Sequence, residues 1–304
     1  MLKRKPIGFL TIAALLLVTN TLSLADDPTG TNANFARIQK EIRDPSSKQV
    51  LVFAHRGGWR NERQYNAPEN SIANLHKAVR LGYDGFESDV ARTKDGHLVI
   101  MHDPTVDRTT NGAGLISEMT LAQVKELRLK FNRAENPTDQ QVPTLNELLS
   151  AGKDRIMFKL DLKCPLEHLP DVLQEIDRTN GIGQTIVRVR YSPANAKLVS
   201  QTLSANPRYK DAIILFRCNK SSQVSQVIDQ FHPKLIEIMN AEKGLTEEMR
   251  EMAKLILDSP ARIEAHSSKD HAPWKQQVDL GMRVLHTTKP MELLSWLKAR
   301  DLHW

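Results

Sequence analysis

The sequence predicts an α/β protein in which eight parallel strands close into a (β/α)8 barrel. Short apolar runs alternate with amphipathic stretches eight times over most of the 304 residues. The runs are rich in Val, Ile, Leu or Phe, which is typical of strands buried on both faces. The alternative is an open, doubly wound sheet. No Gly-x-Gly-x-x-Gly follows the first run, which disfavours a dinucleotide-binding version of that sheet.

Each element follows from its own pattern. The predicted strands are Val50–Ala54, Gly85–Val90, Ile156–Leu162, Thr185–Tyr191, Ala212–Arg217, Leu235–Met239, Arg262–Ala265 and Arg283–His286. The predicted helices are Ser71–Leu81, Thr144–Ala151, Leu166–Thr179, Ala194–Ser204, Ser221–Phe231, Thr246–Leu257, His271–Leu280 and Met291–Ala299. Start and stop signals support these bounds, because Pro follows Ser192 and Lys289, and Gly82, Gly152 and Gly281 lie just past helix ends.

The segment from about residue 92 to residue 143 departs from simple alternation. Lys94-Asp95-Gly96 predicts a hairpin turn that leads into an apolar stretch at His97–Met101. A polar, turn-rich loop follows at Asp107–Gly114, and a short helix is predicted at Leu121–Leu127. Because loops at the carboxyl ends of barrel strands cover the active site, we expect this hairpin-and-loop insertion to cap the barrel.

The N-terminus has the pattern of a signal peptide at residues 1–25. Basic residues precede an apolar stretch at Ile7–Val18, and small residues lead to a predicted cut after Ala25. An uncleaved anchor helix is the alternative, but the apolar stretch is short for a bilayer. A polar leader with one helix near Asn34–Ile42 is expected over residues 26–48, followed by the barrel at 49–304. We therefore expect a periplasmic or secreted protein without a stable membrane anchor.

Charge and cysteine content narrow the choice of partners. The formal net charge is +6, and three of these charges belong to the predicted signal peptide, which leaves +3. That charge is too small and too dispersed to indicate a nucleic-acid partner. Export would permit a disulfide between Cys164 and Cys218, but two buried free thiols fit the sequence equally well. Nothing in the sequence indicates an oligomeric state.

Polar side chains lie towards the carboxyl ends of the first three predicted barrel strands and of the hairpin, or directly after them. They are His55 and Arg56, Glu87 and Asp89, His102 and Asp103, and Asp161 and Lys163. Because the carboxyl ends of barrel strands share one mouth, we expect these groups to converge. Three carboxylates with two imidazoles and no cysteine favour Mg²⁺ or Ca²⁺. With cations to hold an anion and imidazoles to move protons, the set predicts phosphoryl chemistry on a small-molecule phosphodiester.

Each of these residues also has a structural interpretation. A histidine at a strand end can be a hydrogen-bonded structural residue. Glu69 could be an acid in the first turn of the following helix. Asp103 precedes Pro104, and it could be a turn residue or could orient His102. The combination of polar groups at three strand ends and one hairpin is what favours a catalytic site.

The order and spacing of these motifs resemble the glycerophosphodiester phosphodiesterase family from His55 to Gly114. The motifs are His-Arg-Gly, Pro-Glu-Asn-Ser, Glu-Ser-Asp-Val, Thr-Lys-Asp-Gly-His-Leu-Val-Ile-Met-His-Asp and Asp-Arg-Thr-Thr-Asn-Gly-Ala-Gly, and later Leu-Asp-Leu-Lys. The resemblance implies a barrel that hydrolyses a glycerophosphodiester to glycerol 3-phosphate and an alcohol. The implied roles are acid–base catalysis by His55 and His102, metal binding by Glu87, Asp89 and Asp161, phosphate contacts from Arg56 and Lys163, and support from Glu69, Asn70 and Asp103.

Several features depart from that family's pattern. Asp161 stands where the family usually has a glutamate, and Trp59–Tyr65 is inserted beside the site. The seventh and eighth strands also differ from the usual sequences. The far half of the mouth carries further polar groups, namely Arg188, Arg190, Arg217, Glu237, Glu264 and His266. They predict either a polar subsite or internal ion pairs. In a subsite, Arg190 and His266 would be the substrate contacts because they lie nearest the strand ends.

Three functions fit the sequence. The first is hydrolysis of a glycerophosphodiester. The second is a lyase-type or phospholipase-D-like cleavage of a lysophospholipid or sugar phosphodiester, in which a substrate hydroxyl attacks phosphorus and a cyclic phosphate forms. The third is a phosphodiester-binding module without catalysis, which is disfavoured because both histidines and the Glu-x-Asp pair are present.

Overall fold

The computed structural model describes residues 33–61, 63–132, 134–238, 244–267 and 272–304. The predicted signal peptide at residues 1–25 lies outside them, as do Met239 and His271. The strands are β1 (Leu51–Ala54), β2 (Gly85–Arg92), β3 (Leu98–Ile100), β4 (Met157–Leu162), β5 (Thr185–Arg190), β6 (Ile213–Cys218), β7 (Leu235–Ile238), β8 (Arg262–His266) and β9 (Met282–Thr287).

Eight of these strands form a closed parallel barrel, in the order β1-β2-β4-β5-β6-β7-β8-β9. Closure is direct, because β1 pairs with β9 on one side and with β2 on the other. The predicted barrel is therefore confirmed, and the open doubly wound sheet is excluded. Gly85 lies opposite Phe53 at this closure. A Cβ atom on Gly85 would lie 2.1 Å from the Phe53 ring, so only glycine leaves room for that side chain.

The helices lie close to their predicted positions. They are α1 (Ala33–Arg43), α2 (Ile72–Arg80), α3 (Leu121–Glu126), α4 (Leu145–Ala151), α5 (Leu169–Arg178), α6 (Pro193–Ser204), α7 (Ser221–Phe231), α8 (Glu247–Leu257), α9 (Ala272–Asp279) and α10 (Pro290–Lys298). Hydroxyl caps explain several starts, because the side chains of Ser71, Thr144, Ser192 and Thr246 each accept a hydrogen bond from a first-turn amide. None of the helices in the described ranges is long and apolar enough to cross a bilayer.

Helix α1 closes the amino-terminal end of the barrel. Phe35, Ile38 and Ile42 are buried against inward-facing residues near the strand starts, such as Leu51 and Met157. A second, larger apolar layer lies between the strands and the surrounding helices. The helix predicted at Asn34–Ile42 is thus observed, and it packs as part of the barrel unit.

The insertion after β2 has a small core of its own. Strand β3 pairs antiparallel with the last residues of β2, where Val90 lies opposite Ile100. Apolar side chains from β3, α3 and the connecting loops pack together, including Val106 and Ile116. The predicted hairpin and short helix are therefore confirmed, and they lie at the carboxyl ends of the barrel strands.

Cys164 and Cys218 are free thiols.

Candidate functional site

The carboxyl end of the barrel holds a polar cavity of about 210 Å³. Its lining residues come from all eight barrel strands, or the residues just after them, and from the insertion. They are His55, Glu87, Asp89, His102, Asp161, Lys163, Arg188, Arg217, Glu237, His266 and His286. The structure thus brings together the two predicted acid–base histidines, the three predicted metal ligands, Lys163 and His266.

His102 is held from behind by Asp103. The Nδ1 atom of His102 lies 2.6 Å from Asp103 Oδ1, and Arg108 Nε donates to the other oxygen of Asp103 at 2.5 Å. The hydrogen bond from Arg108, together with that of His102, lowers the pKa of Asp103 to about 2. Arg108 also donates to Glu69 at 2.8 Å. Asp103 is therefore an ionised carboxylate that orients the His102 ring, and not only a turn residue.

His55 begins a tight turn directly after β1. Arg56 and Gly57 in that turn both have left-handed backbone angles, with φ of 48° and 74°. A Cβ atom on Gly57 would lie 2.4 Å from Phe86, so the turn requires glycine there. Burial, followed by the nearby charge of Arg56, lowers the pKa of His55 well below its usual value. His55 is therefore a neutral imidazole, which can accept a proton.

Glu87, Asp89 and Asp161 place carboxylate oxygens within 4.8 Å of one another. Asp89 and Asp161 are direct partners in the β2–β4 register, and Glu87 shares a strand face with Asp89. Burial, and then the charges of Asp89 and Asp161, raise the pKa of Glu87 to about 8. Negative charge is therefore concentrated around Glu87, and the oxygen-only donor set fits a hard divalent cation such as Mg²⁺ or Ca²⁺.

The cations predicted to bind phosphate lie beside these carboxylates. Lys163 Nζ is 2.6 Å from Asp161 and 3.1 Å from Asp89. Arg188 contacts the other oxygen of Asp161 at 2.8 Å. Burial disfavours ionised Asp161, but the charges of Arg188 and Lys163 outweigh it and lower its pKa to about 2. Arg56 does not line the cavity, and it contacts Glu69 and Asp89 at 3.0 and 3.4 Å.

Asn70 contacts one of the clustered carboxylates through its side chain. It has a left-handed φ of 61°, and its amide nitrogen donates to Asp89 Oδ2 at 3.1 Å. The amide oxygen accepts from Ser88 at 3.0 Å. This pair of hydrogen bonds fixes the orientation of Asp89.

The far half of the mouth is largely internally paired. Arg188 makes a two-pronged contact with Glu237, and Lys159 contacts Glu264 at 2.5 Å. Internal ion pairing therefore accounts for much of this half. Arg190, the expected substrate contact, is exposed at the end of β5 and does not line the cavity. Arg188, two residues earlier on the same face, occupies that position.

His286 is a site residue that the sequence analysis did not single out. It belongs to β9, and its Nε2 atom lies 3.3 Å from Glu87 Oε2. Its ring is close to those of His55 and His266, with centroids 4.9 and 4.7 Å away. The available signal was the same as for His55, namely a histidine at a strand end. It ended the predicted strand Arg283–His286 but matched no motif.

A second groove of about 540 Å³ adjoins the cavity and shares His102 and Lys163 with it. The groove lies between the insertion and the segment after β4. Its other lining residues are Ala91, Arg92, Thr93, Lys94, Asp103, Pro104, Ile116, Ser117, Cys164, Pro165 and His168. The sequence pattern marked Lys94 only as a turn residue and did not mark Arg92, because the groove also needs a wall contributed from another part of the chain.

The inserted segment near Trp59 lies on the opposite side, against the end of β9. Arg60 Nε donates to Thr288 Oγ1 at 3.2 Å, and the Tyr65 hydroxyl lies 3.9 Å from the Met291 sulfur. Two of the features that depart from the family pattern therefore contact one another directly.

Comparison with known proteins is consistent with this geometry. The sequence model of the Glycerophosphoryl diester phosphodiesterase family matches residues 55–207. A Glycerophosphodiester phosphodiesterase of Caldanaerobacter subterraneus is 39% identical over 129 residues, which is 42% of this chain and 51% of that protein. Human Glycerophosphodiester phosphodiesterase 1 is 36% identical over 156 residues, which is 48% of this chain and 45% of that protein. The chain thus spans about half the length of the curated relatives it matches.

Solved structures share the fold. A glycerophosphoryl diester phosphodiesterase from Parabacteroides distasonis superimposes with a TM-score of 0.71 at 20% identity, over 88% of this chain and 93% of that one. An Oleispira antarctica phosphodiesterase in complex with the product sn-glycerol-3-phosphate has a TM-score of 0.67 at 19% identity. The match covers 84% of this chain and 99% of that one.

Proposed function

Because the chain belongs to the glycerophosphoryl diester phosphodiesterase family, we propose that it hydrolyses a glycerophosphodiester to glycerol 3-phosphate and an alcohol. One observation carries the proposal. The neutral His55 and the Asp103-oriented His102 line the same small cavity as a carboxylate cluster and Lys163. Proton acceptor, proton donor and cation-binding groups are thus present within reach of a single phosphodiester.

The two histidines are proposed to divide the proton transfers. His55 is neutral, so one of its ring nitrogens is available to take a proton from the attacking water. His102 has Asp103 against its Nδ1 atom, and this carboxylate offsets the positive charge of a protonated ring. His102 is therefore suited to donate a proton to the leaving alcohol oxygen. Lys163 lies where it can offset charge on the phosphate.

Glu87, Asp89 and Asp161 would hold a divalent cation, Mg²⁺ or Ca²⁺. When bound, such an ion neutralises charge that develops on the phosphoryl oxygens. Asn70 and Arg56 keep Asp89 in place. Asp161 is shorter than glutamate, and its contacts with Lys163 and Arg188 hold it at the edge of the cluster.

The groove beside His102 is proposed to take the leaving alcohol. Among the described residues, neither Arg92 nor Lys94 has an ion-pair partner, whereas Asp103 and His168 are each paired. The unpaired charges favour an alcohol that carries an anionic group, such as a second phosphate or a carboxylate. Ile116, Pro104 and Pro165 provide the apolar part of the wall.

The experiment is a substrate panel followed by ³¹P NMR. Glycerophosphocholine, glycerophosphoserine, glycerophosphoinositol phosphate and lysophospholipids would be incubated with the protein in Mg²⁺ or Ca²⁺. Glycerol 3-phosphate as the phosphorus product supports hydrolysis. A cyclic phosphate would establish the lyase reaction instead, and no turnover of any substrate would contradict an enzymatic function.

We also propose that the protein is exported and cleaved after Ala25. The basic, apolar and small-residue order of residues 1–25 supports this proposal. The mature N-terminus, read by mass spectrometry of protein from the producing cell, should begin at Asp26. A retained Met1 would contradict cleavage.

A further inference from the structure

Three imidazoles from adjacent strands cluster on one wall of the cavity. His55 follows β1, His266 ends β8 and His286 lies on β9. One ring nitrogen from each lies within 4.8 Å of those of the other two. The third centroid separation, between His55 and His266, is 5.4 Å. The three rings therefore surround a common point, although the proposed hydrolysis requires only one of them.

Each ring keeps a buried nitrogen without a hydrogen-bond partner among the described residues. These atoms are His55 Nδ1, His266 Nε2 and His286 Nε2. The last is 3.3 Å from Glu87 but lacks hydrogen-bond geometry. A buried polar atom without a partner is destabilising, so structural histidines normally have a carbonyl or a carboxylate as hydrogen-bond partner. Three neighbouring rings, each with a buried nitrogen that lacks a hydrogen-bond partner among the described residues, point to a ligand that is not part of the polypeptide.

The charged groups around the three rings are compatible with a cation bound between them. Arg56, which follows His55, is paired with Glu69 and Asp89. Lys159 Nζ lies 3.5 Å from His286 Nδ1. Its ammonium group is paired more closely with Glu264, at 2.5 Å, so its charge is balanced within the barrel. Glu87 adds a carboxylate beside His286. The donor set is therefore rich in nitrogen with one acidic neighbour, unlike the oxygen-only cluster of Glu87, Asp89 and Asp161.

We propose that His55, His266 and His286 form a second cation site, selective for a borderline ion of the Zn²⁺ class. Imidazole nitrogen is a preferred ligand of such ions, and three histidines with an open position are a common zinc arrangement. Glu87 belongs to the oxygen-rich cluster and lies 3.3 Å from His286, so the two sites are adjacent. An ion here would engage His55, and a ligated ring cannot take a proton. If the proposed hydrolysis is correct, Zn²⁺ therefore inhibits turnover supported by Mg²⁺ or Ca²⁺.

The binding is tested by titrating the metal-free protein with Co²⁺ and recording visible absorption. Co²⁺ on nitrogen ligands at low coordination number absorbs far more strongly than octahedral Co²⁺ on oxygen ligands. We expect strong bands that saturate at one equivalent and that disappear in His266→Asn and His286→Asn. His232→Asn is the matched control, because His232 is exposed and its left-handed backbone suits asparagine. Circular dichroism of each variant checks that it is folded.

A competition experiment measures affinity independently of activity. Zn²⁺ should displace Co²⁺, and each cavity variant should lose more than about tenfold in Zn²⁺ affinity relative to His232→Asn. Weak octahedral bands alone, or affinities equal in all three folded variants, would overturn the site. Because no substrate is present, this result stands even if the chain proves not to hydrolyse phosphodiesters.

Inhibition is tested separately. If turnover is detected, its Zn²⁺ half-inhibition concentration should rise more than about tenfold in His286→Asn, in line with the loss of affinity. Equal Zn²⁺ sensitivity of His286→Asn and His232→Asn would place the inhibition at the carboxylate cluster and overturn this consequence of the proposal.

Discussion

Glu87 and His286 meet across the first strand of the barrel, with Glu87 Oε2 3.3 Å from His286 Nε2. Their strands, β2 and β9, are the two neighbours of β1 at the closure of the sheet. The same Glu87 oxygen accepts a hydrogen bond from the Arg56 amide at 2.9 Å, directly after His55. Barrel closure therefore joins the first and last strands into one site.

Loss of either proposed acid–base histidine should nearly abolish turnover. We expect His55→Ala and His102→Ala each to lower kcat/KM by about 10²-fold or more, because proton transfer to or from the substrate is lost. Steady-state assays on the best substrate of the panel measure this effect. If both variants retain wild-type rates, the assigned roles are wrong.

Removal of divalent cations should stop the reaction. EDTA is expected to abolish turnover, and Mg²⁺ or Ca²⁺ should restore it, because the carboxylate cluster requires a cation to offset phosphate charge. Asp89→Asn should lower the affinity for the cation by at least about tenfold, measured as a higher cation concentration needed for half-maximal rate. Asp279→Asn, on an exposed helix face, is the matched control. Full activity in EDTA would remove the cation from the mechanism.

The unpaired cations of the groove should affect charged alcohols selectively. Arg92→Gln and Lys94→Gln are each expected to lower kcat/KM about fivefold or more for glycerophosphoinositol phosphate, since each removes one favourable charge contact. Turnover of glycerophosphocholine should change little. Lys275→Gln, whose lysine lies on α9 and pairs with Asp279, serves as the control. Equal losses on both substrates would contradict a role in selecting the alcohol.

Asp103 should make stability depend on pH in the acid range. Its pKa is lowered from 3.8 to about 2, and its side chain is 24% exposed, so its ionised form contributes about 1–2 kcal/mol. Because the folded-state pKa is the lower one, this contribution is present above about pH 4 and is lost as the pH falls towards 2. Urea unfolding should show Asp103→Asn less stable by a constant amount at pH 6–8. A difference that persists undiminished at pH 2 would contradict this account.

Helix α1 should be an integral part of the barrel's stability. Ile38 is fully buried in the cluster that closes the amino-terminal end. Ile38→Ala is expected to cost about 2–5 kcal/mol of unfolding free energy, because it leaves a cavity. Lys40→Ala, on the exposed face of the same helix, should change it by less than about 0.5 kcal/mol. Equal unfolding midpoints for the two variants would show that α1 does not support the barrel.

Much of this architecture could be predicted from local pattern. The eight strands and their helices lie within a few residues of the predicted bounds, because buried strands and amphipathic helices leave different periodicities. His55, Glu87, Asp89, His102, Asp161 and Lys163 could be predicted because each lies in or directly after a barrel strand or the hairpin, and parallel strands of a barrel open on one face. These positions depend on sequence spacing alone.

Only the tertiary structure decided what those side chains contact. Arg190 and Arg188 share a strand face, and the depth of the cavity determines that Arg188 lines it while Arg190 is exposed. His286 becomes a site residue because β9 pairs with β1, far away in the chain, and thereby faces Glu87. The sequence by itself determined the strand ends and the chemical types of the groups there. Which groups pair, and which remain unpaired, depends on barrel closure, because only closure sets distances between residues that no local pattern relates.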